Sequence, residues 1–190
     1  MGLLDPPGFR RNRHGQVWLH LPDAEQALMR NLLEQLGGLL AADEPDEPDE
    51  PADPLEELVG IEPTAERPSD PALARLFPDA YEDPEQADEF RRFTQRDLRT
   101  TKLDNQHLAA ATLERPNPTQ LSEEECHAWL GALNDLRLTL GTRLEVTEDG
   151  PREFADLPED DPRRALYVVY DWLTYHQERL VHALQKGIRR

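Results

Sequence analysis

The sequence predicts a mainly α fold, a helical bundle with a small N-terminal β-hairpin. Three observations point there. Apolar residues recur at helical spacing over most of the chain beyond residue 22. Strict alternation of apolar and polar side chains is confined to "QVWLHL" near the start. Proline- and glycine-rich breakers gather between the periodic stretches.

The hairpin comes first. "FRRNR" and "QVWLHL" flank His14-Gly15, read as a two-residue turn whose glycine can take positive φ. Val17, Leu19 and Leu21 share one face, with Trp18 and His20 on the other. An isolated hairpin is marginal in water, so this one is expected to pack on helices.

Pro22 and Asp23 open the first helix. Leu28, Leu32, Leu36 and Leu39/Leu40 form its stripe, widened by Met29 and Leu33, while Gly37-Gly38 weaken its last turns. "ADEPDEPDEPADP", residues 42–54, follows. Proline at every third position removes helix donors, and the carboxylates repel one another, so this reads as a solvated linker. The expected organisation is one domain. Residues 1–41 form its hairpin and first helix, 42–54 the linker, and 55–190 the helical body.

Within that body, "LEELVGIE" is at most a helical turn. "SDPALARLFPDAY" reads as a short helix capped by Ser69 or Asp70, with Pro71 at its first position and Leu73, Leu76 and Phe77 on its apolar face. Three long helices follow. The first spans about 83–112, anchored by Phe90, Phe93, Leu98 and Leu108. The second starts at Ser122, where "SEEE" has capping-box form, and carries Cys126, Leu130, Leu133, Leu140 and Leu144. After the breaker-rich "TEDGPREFADLPEDDP", the last runs from Asp161-Pro162 to Gly187 on Leu166, Val169, Leu173, His176, Leu180 and Leu184.

Charge narrows the function classes. The 190 residues carry a formal net charge of −18. Such a chain is a poor fit to direct nucleic-acid binding through phosphate neutralisation, or to an anionic membrane surface. No stretch has the length and apolarity of a membrane span, and none at the N-terminus reads as a signal peptide. The single cysteine cannot form an internal disulfide, so a reducing, cytoplasmic setting is expected.

Little in the sequence reads as chemistry. Cys126 is the redox candidate, near a helix start whose dipole favours thiolate. Glu123, Glu124 and Glu125 oppose that, and its place on the leucine stripe favours a plain core role. Cys126 and His127 are adjacent on a helix and point apart, so they form no nucleophile pair. His176 and His182 are six apart, the wrong spacing for two metal ligands on one helix face. No catalytic residue, metal site or cofactor is assigned. Arg92, Arg96 and Arg99, at spacings of four and three, form a basic stripe. It reads first as a salt-bridged surface and second as a docking face for an acidic partner. The basic end "KGIRR" is a further candidate contact. Asp97, Thr101 and Asn105 share a helix face and, with Arg137, suggest a polar network between helices, with Asp97–Arg137 as an ion pair.

Three blocks carry a family likeness: "LFPDAYEDPEQADEFRRFTQRDLRTTKLDN", "WLGALNDLRLTLGTRLEV" and "YVVYDWLTYHQERLVHAL". With the hairpin and "EQALMRNLLEQL", the chain resembles an actinobacterial family first described as a domain of unknown function and later called AosR-like. The resemblance implies a non-enzymatic, transcription-associated regulator of the oxidative-stress response. It implies a protein partner, a sigma factor or RNA polymerase. The redox switch attributed to the family is a C-x-x-x-C pair. Here Leu130 stands four residues after Cys126 and Ser122 four before it. The chain therefore either lacks a redox response or makes one through an intermolecular bond or a sulfenic acid. The competing expectation is an uncharacterised enzyme or metal-binding helical protein, which metal analysis of purified material decides. A structural homo-oligomer is a third, decided by light scattering.

Overall fold

The computed structural model describes residues 6–42, 67–147, 157–158 and 160–185. The linker beyond Ala42, the turn expected at 55–62, most of the loop before the last helix and the end "KGIRR" lie outside the described residues.

Strands β1 (Gly8–Arg11) and β2 (Val17–His20) form the antiparallel hairpin, with Gly8 opposite His20 and Arg11 opposite Val17. Their connection is a three-residue loop, Arg13-His14-Gly15, rather than the two-residue turn expected. Asn12 N donates to Gln16 O at 2.9 Å and Gly15 N to Asn12 O at 3.1 Å, with Gly15 at φ 84°. A turn closed by a left-handed glycine is the usual three-residue solution. Asn12 decides it: its Oδ1 accepts from His14 N at 2.9 Å and Gln16 N at 3.0 Å.

A third strand, β3 (Thr119–Leu121), pairs antiparallel with β2 and gives the sheet order β1-β2-β3. Three residues are too few to show alternation in a sequence. Pairing with the open edge of β2, and burial of Thr119 and Leu121, create this strand.

Five helices are described: α1 (Asp23–Ala41), α2 (Pro71–Leu76), α3 (Pro84–Leu113), α4 (Glu123–Arg143) and α5 (Pro162–Gln185). Asp70 caps α2, its Oδ1 accepting from Ala72 N at 2.7 Å. Ser122 closes a capping box on α4: Glu125 N donates to Ser122 Oγ at 3.1 Å, and Ser122 N donates to Glu125 Oε2 at 2.8 Å. The buried face of α1 is Met29, Leu33, Leu36 and Leu40, and Leu28 points outward.

α3 departs most from expectation. Phe90, Phe93 and Leu98 are 43%, 50% and 39% exposed, so they do not anchor the helix. Its buried face runs through Ala87, Arg91, Gln95, Arg99, Gln106, Ala109 and Leu113. Three of its buried polar residues find partners. Arg91 pairs with Asp79, the Arg99 guanidinium lies 5.3 Å from the centre of the Phe77 ring, and Gln106 Nε2 donates to Leu33 O at 2.9 Å.

One cluster of buried side chains joins sheet and helices, among them Phe9, Leu19, Met29, Leu33, Leu133, Leu173 and Leu180. Trp129 is fully buried within it. Its ring meets Phe9 edge-on at 5.3 Å, and its Nε1 donates to the buried Thr112 Oγ1 at 3.0 Å.

Candidate functional site

Cys126 sits in the first turn of α4, one residue past the capping box, and is 1% exposed. Burial pushes its thiol up to about 11, helped by Glu125 and Glu123 and opposed by Arg11. At neutral pH it is a protonated, small apolar side chain: burial outweighs the nearby Arg11, and the thiol lacks the accessibility of a reactive thiolate. It forms part of the floor of a groove of about 440 Å³ between the hairpin loop, β3, the start of α4 and Leu184 of α5.

The three arginines of the expected basic stripe do not share a surface. Arg96 is exposed, Arg92 is half-buried, and Arg99 is 4% exposed against Phe77. At 100° per residue the three positions span only about 60° of the helix; the Phe77 ring covers the edge that holds Arg99, so the stripe divides between solvent and interior.

The expected Asp97–Arg137 pair is not formed. Asp97 and Thr101 are exposed, and Thr101 Oγ1 donates to Asp97 O at 2.8 Å within its own helix. Asn105 is half-buried where α3 and α4 approach closely; a β-carbon on Gly131 would lie 2.7 Å from its Nδ2. Arg137 turns instead toward α5. Its Nε donates to Thr174 Oγ1 at 2.9 Å, Nη1 to Gln177 Oε1, and Nη2 to Tyr170 OH at 3.5 Å. Its guanidinium carbon lies 5.4 Å from the centre of the Tyr170 ring. Four of these groups thus clamp α4 to α5, with no carboxylate among them.

A buried ion pair between α3 and α4 does form, but between other residues. Lys102 Nζ lies 2.7 Å from Asp135 Oδ1, with side chains 13% and 4% exposed. Burial raises the Asp135 carboxyl, and Lys102 opposes that rise. Nothing in the sequence links the two; the only signal is that Asp135 falls one turn after Ala132 on the buried face of α4.

His176 is fully buried, and neither ring nitrogen has a hydrogen-bond partner among the described residues. Trp172, Tyr175 and Phe9 surround it edge-on at 4.5, 5.3 and 6.3 Å. Burial lowers its pKa to about 4, with Arg179 adding to the effect. Glu25 Oε2 lies 3.6 Å from Nε2, beyond hydrogen-bond distance, and accepts from Trp172 Nε1 at 3.2 Å. The imidazole is neutral and serves as a core ring. Among the described residues no three His, Cys, Asp or Glu side chains gather where a metal ion could sit, and no helix is long and apolar enough to cross a membrane.

Comparison with known proteins gives the chain its family. The family described as "Domain of unknown function (DUF2017)" matches residues 6–184. The chain is 38% identical to the protein named "Oxidative stress regulator AosR" of Mycobacterium bovis, over 95% of this chain and 84% of that one. The proteins of the same name from Mycobacterium tuberculosis match to the same extent. No solved structure matches it. With the match running from the hairpin through α5, the chain belongs to the DUF2017 family and is a relative of the mycobacterial regulators named AosR.

Proposed function

We propose that this protein is a non-enzymatic regulator of the oxidative-stress response that works in the cytoplasm by binding a protein component of transcription, a sigma factor or RNA polymerase. The observation that carries the proposal is the likeness to a named oxidative stress regulator along 95% of the chain. The geometry agrees in kind. The strongly shifted groups Cys126 and His176 are each enclosed by packing, and the acid nearest His176, Glu25, stands 3.6 Å off, beyond hydrogen-bond distance, with its Oε2 accepting from Trp172. A switch through an internal disulfide is unavailable to a chain with one cysteine. Regulation here runs through binding surfaces, and any redox input comes from the partner or from an intermolecular bond at an opened Cys126.

The test is a pull-down of sigma factors and RNA polymerase on the purified full chain at near-physiological salt. Retention of one of them is the expected result. Failure to retain any, under both reducing and oxidising conditions, overturns the proposal.

A further inference from the structure

The charge of this chain is unevenly distributed. From Pro6 to Pro22 there is no aspartate or glutamate, and Arg10, Arg11 and Arg13 contribute three positive charges. Taking those three out of −18 leaves −21 for the rest. From Arg179 to Arg190 the sequence is again free of acids. The fold brings the described parts of these stretches together: β1 packs on α5, and Arg11 Nη1 donates to Ala183 O at 3.4 Å.

The groove of about 440 Å³ opens at that junction. Val17, Leu121, Cys126 and Leu184 give it an apolar floor. Phe9 and Arg11 lie on the same face of β1, by strand alternation. The core covers Phe9, which is 1% exposed, and gives out at Arg11, which is half-buried on the groove wall. A β-carbon on Gly15 would lie 3.3 Å from Arg11 Nη2, so the guanidinium rests against the loop. Arg13 and His14 are exposed at the loop tip, and the Asn12 side chain already orders that loop. The one acid on the lining, Glu123, belongs to the α4 side. The groove is therefore apolar below, cationic along the hairpin and anionic opposite.

We propose that this groove docks a short acidic segment of a partner protein, with an apolar side chain seated on Val17, Leu121 and Leu184 and flanking carboxylates on Arg11 and Arg13. This rests on the reading that the protein acts through a protein partner. Arginine suits carboxylates because its fork of N–H groups donates to both oxygens at once. An ordered loop loses little freedom on binding. In a body this acidic, a carboxylate-bearing segment is repelled elsewhere and steered to the acid-free hairpin wall of the groove, away from Glu123, so the charge pattern sets orientation as well as attraction. Nucleic acid is the disfavoured occupant, because a phosphate backbone would extend past the groove over the negative body.

The experiment titrates the full chain into a short fluorescein-labelled peptide, a central leucine between runs of aspartate and glutamate, and reads anisotropy. Binding that weakens with salt is expected, with about tenfold loss in Arg13→Glu and none in Arg96→Glu. Replacing the peptide's leucine by serine is expected to weaken binding too. Amide shifts should concentrate at residues 11–17 and 120–127. Equal affinity for Arg13→Glu and wild type, shifts confined to α3, or tighter binding of a single-stranded oligonucleotide of equal charge would each overturn the proposal. Repeating the polymerase pull-down with Arg13→Glu separates the two readings. Retention by wild type and variant alike leaves the transcription role standing and removes this groove from it.

Discussion

A β-carbon on Gly8 would lie 3.0 Å from Nδ1 of His176, and Gly8 holds φ at 108°. β1 can therefore lie this close to α5 only with glycine at that point. Gly8→Ala is expected to lower stability by about 1–3 kcal/mol, through backbone strain and the displaced ring. Gly38→Ala is the contrast. It is helical with nothing within 4 Å of the added carbon, so it is expected to raise stability by about 0.5–1 kcal/mol. Thermal melts of the two variants should move in opposite directions.

Neutral His176 makes the fold acid-sensitive. Its folded pKa is about 4 against an ordinary 6.5, so between those values the unfolded chain binds more protons than the folded one. Stability is at its full value above about pH 6.5 and falls as pH drops toward 4, by up to about 3 kcal/mol from this group. Chemical denaturation across that window, with His176→Phe as the control, measures it. An unchanged slope in the variant would mean that other groups set the dependence.

Lys102→Met leaves Asp135 buried without its cation and is expected to cost about 3–5 kcal/mol. The double variant Lys102→Met/Asp135→Leu removes both charges and should recover most of that loss. If the single and double variants unfold at the same denaturant concentration, the pair is not buried as described.

Cys126, 1% exposed and protonated, is expected to react slowly with a thiol reagent in the native protein and fast once denatured. Absorbance of the released thiol dye gives both rates. Similar rates would place the thiol at the surface and restore a direct sensing role.

Arg137 ties α4 to α5 through Thr174, Gln177 and Tyr170. Arg137→Ala should therefore lower the melting temperature, whereas Asp97→Ala on the exposed face should leave it nearly unchanged. Equal losses in the two variants would revive an Asp97–Arg137 pair.

Local signals settled much of this protein from the sequence alone. The capping box at Ser122, the cap and proline at the start of α2, and the alternation in β2 each act within a few residues, so the chain displays them directly. The leucine-rich faces of α4 and α5 likewise announce helices, because apolar burial imposes the helical period. Tertiary structure decided the rest. Phe90 and Phe93 look like core residues, yet the buried side of α3 is the one that carries Arg91, Gln95 and Arg99, where Asp79 and the Phe77 ring, just past the end of α2, receive the two guanidinium groups. β3 exists because β2 offers an open edge, and Lys102 meets Asp135 only because α3 and α4 pack together. The acid-free hairpin is visible in the chain, but the groove beside it is not. Its walls come from segments more than a hundred residues apart, brought together by burial of Phe9, Trp129 and Leu180 in one core. Partner choice for a long-range contact depends on which surfaces the whole fold leaves open, and no local stretch of sequence carries that information.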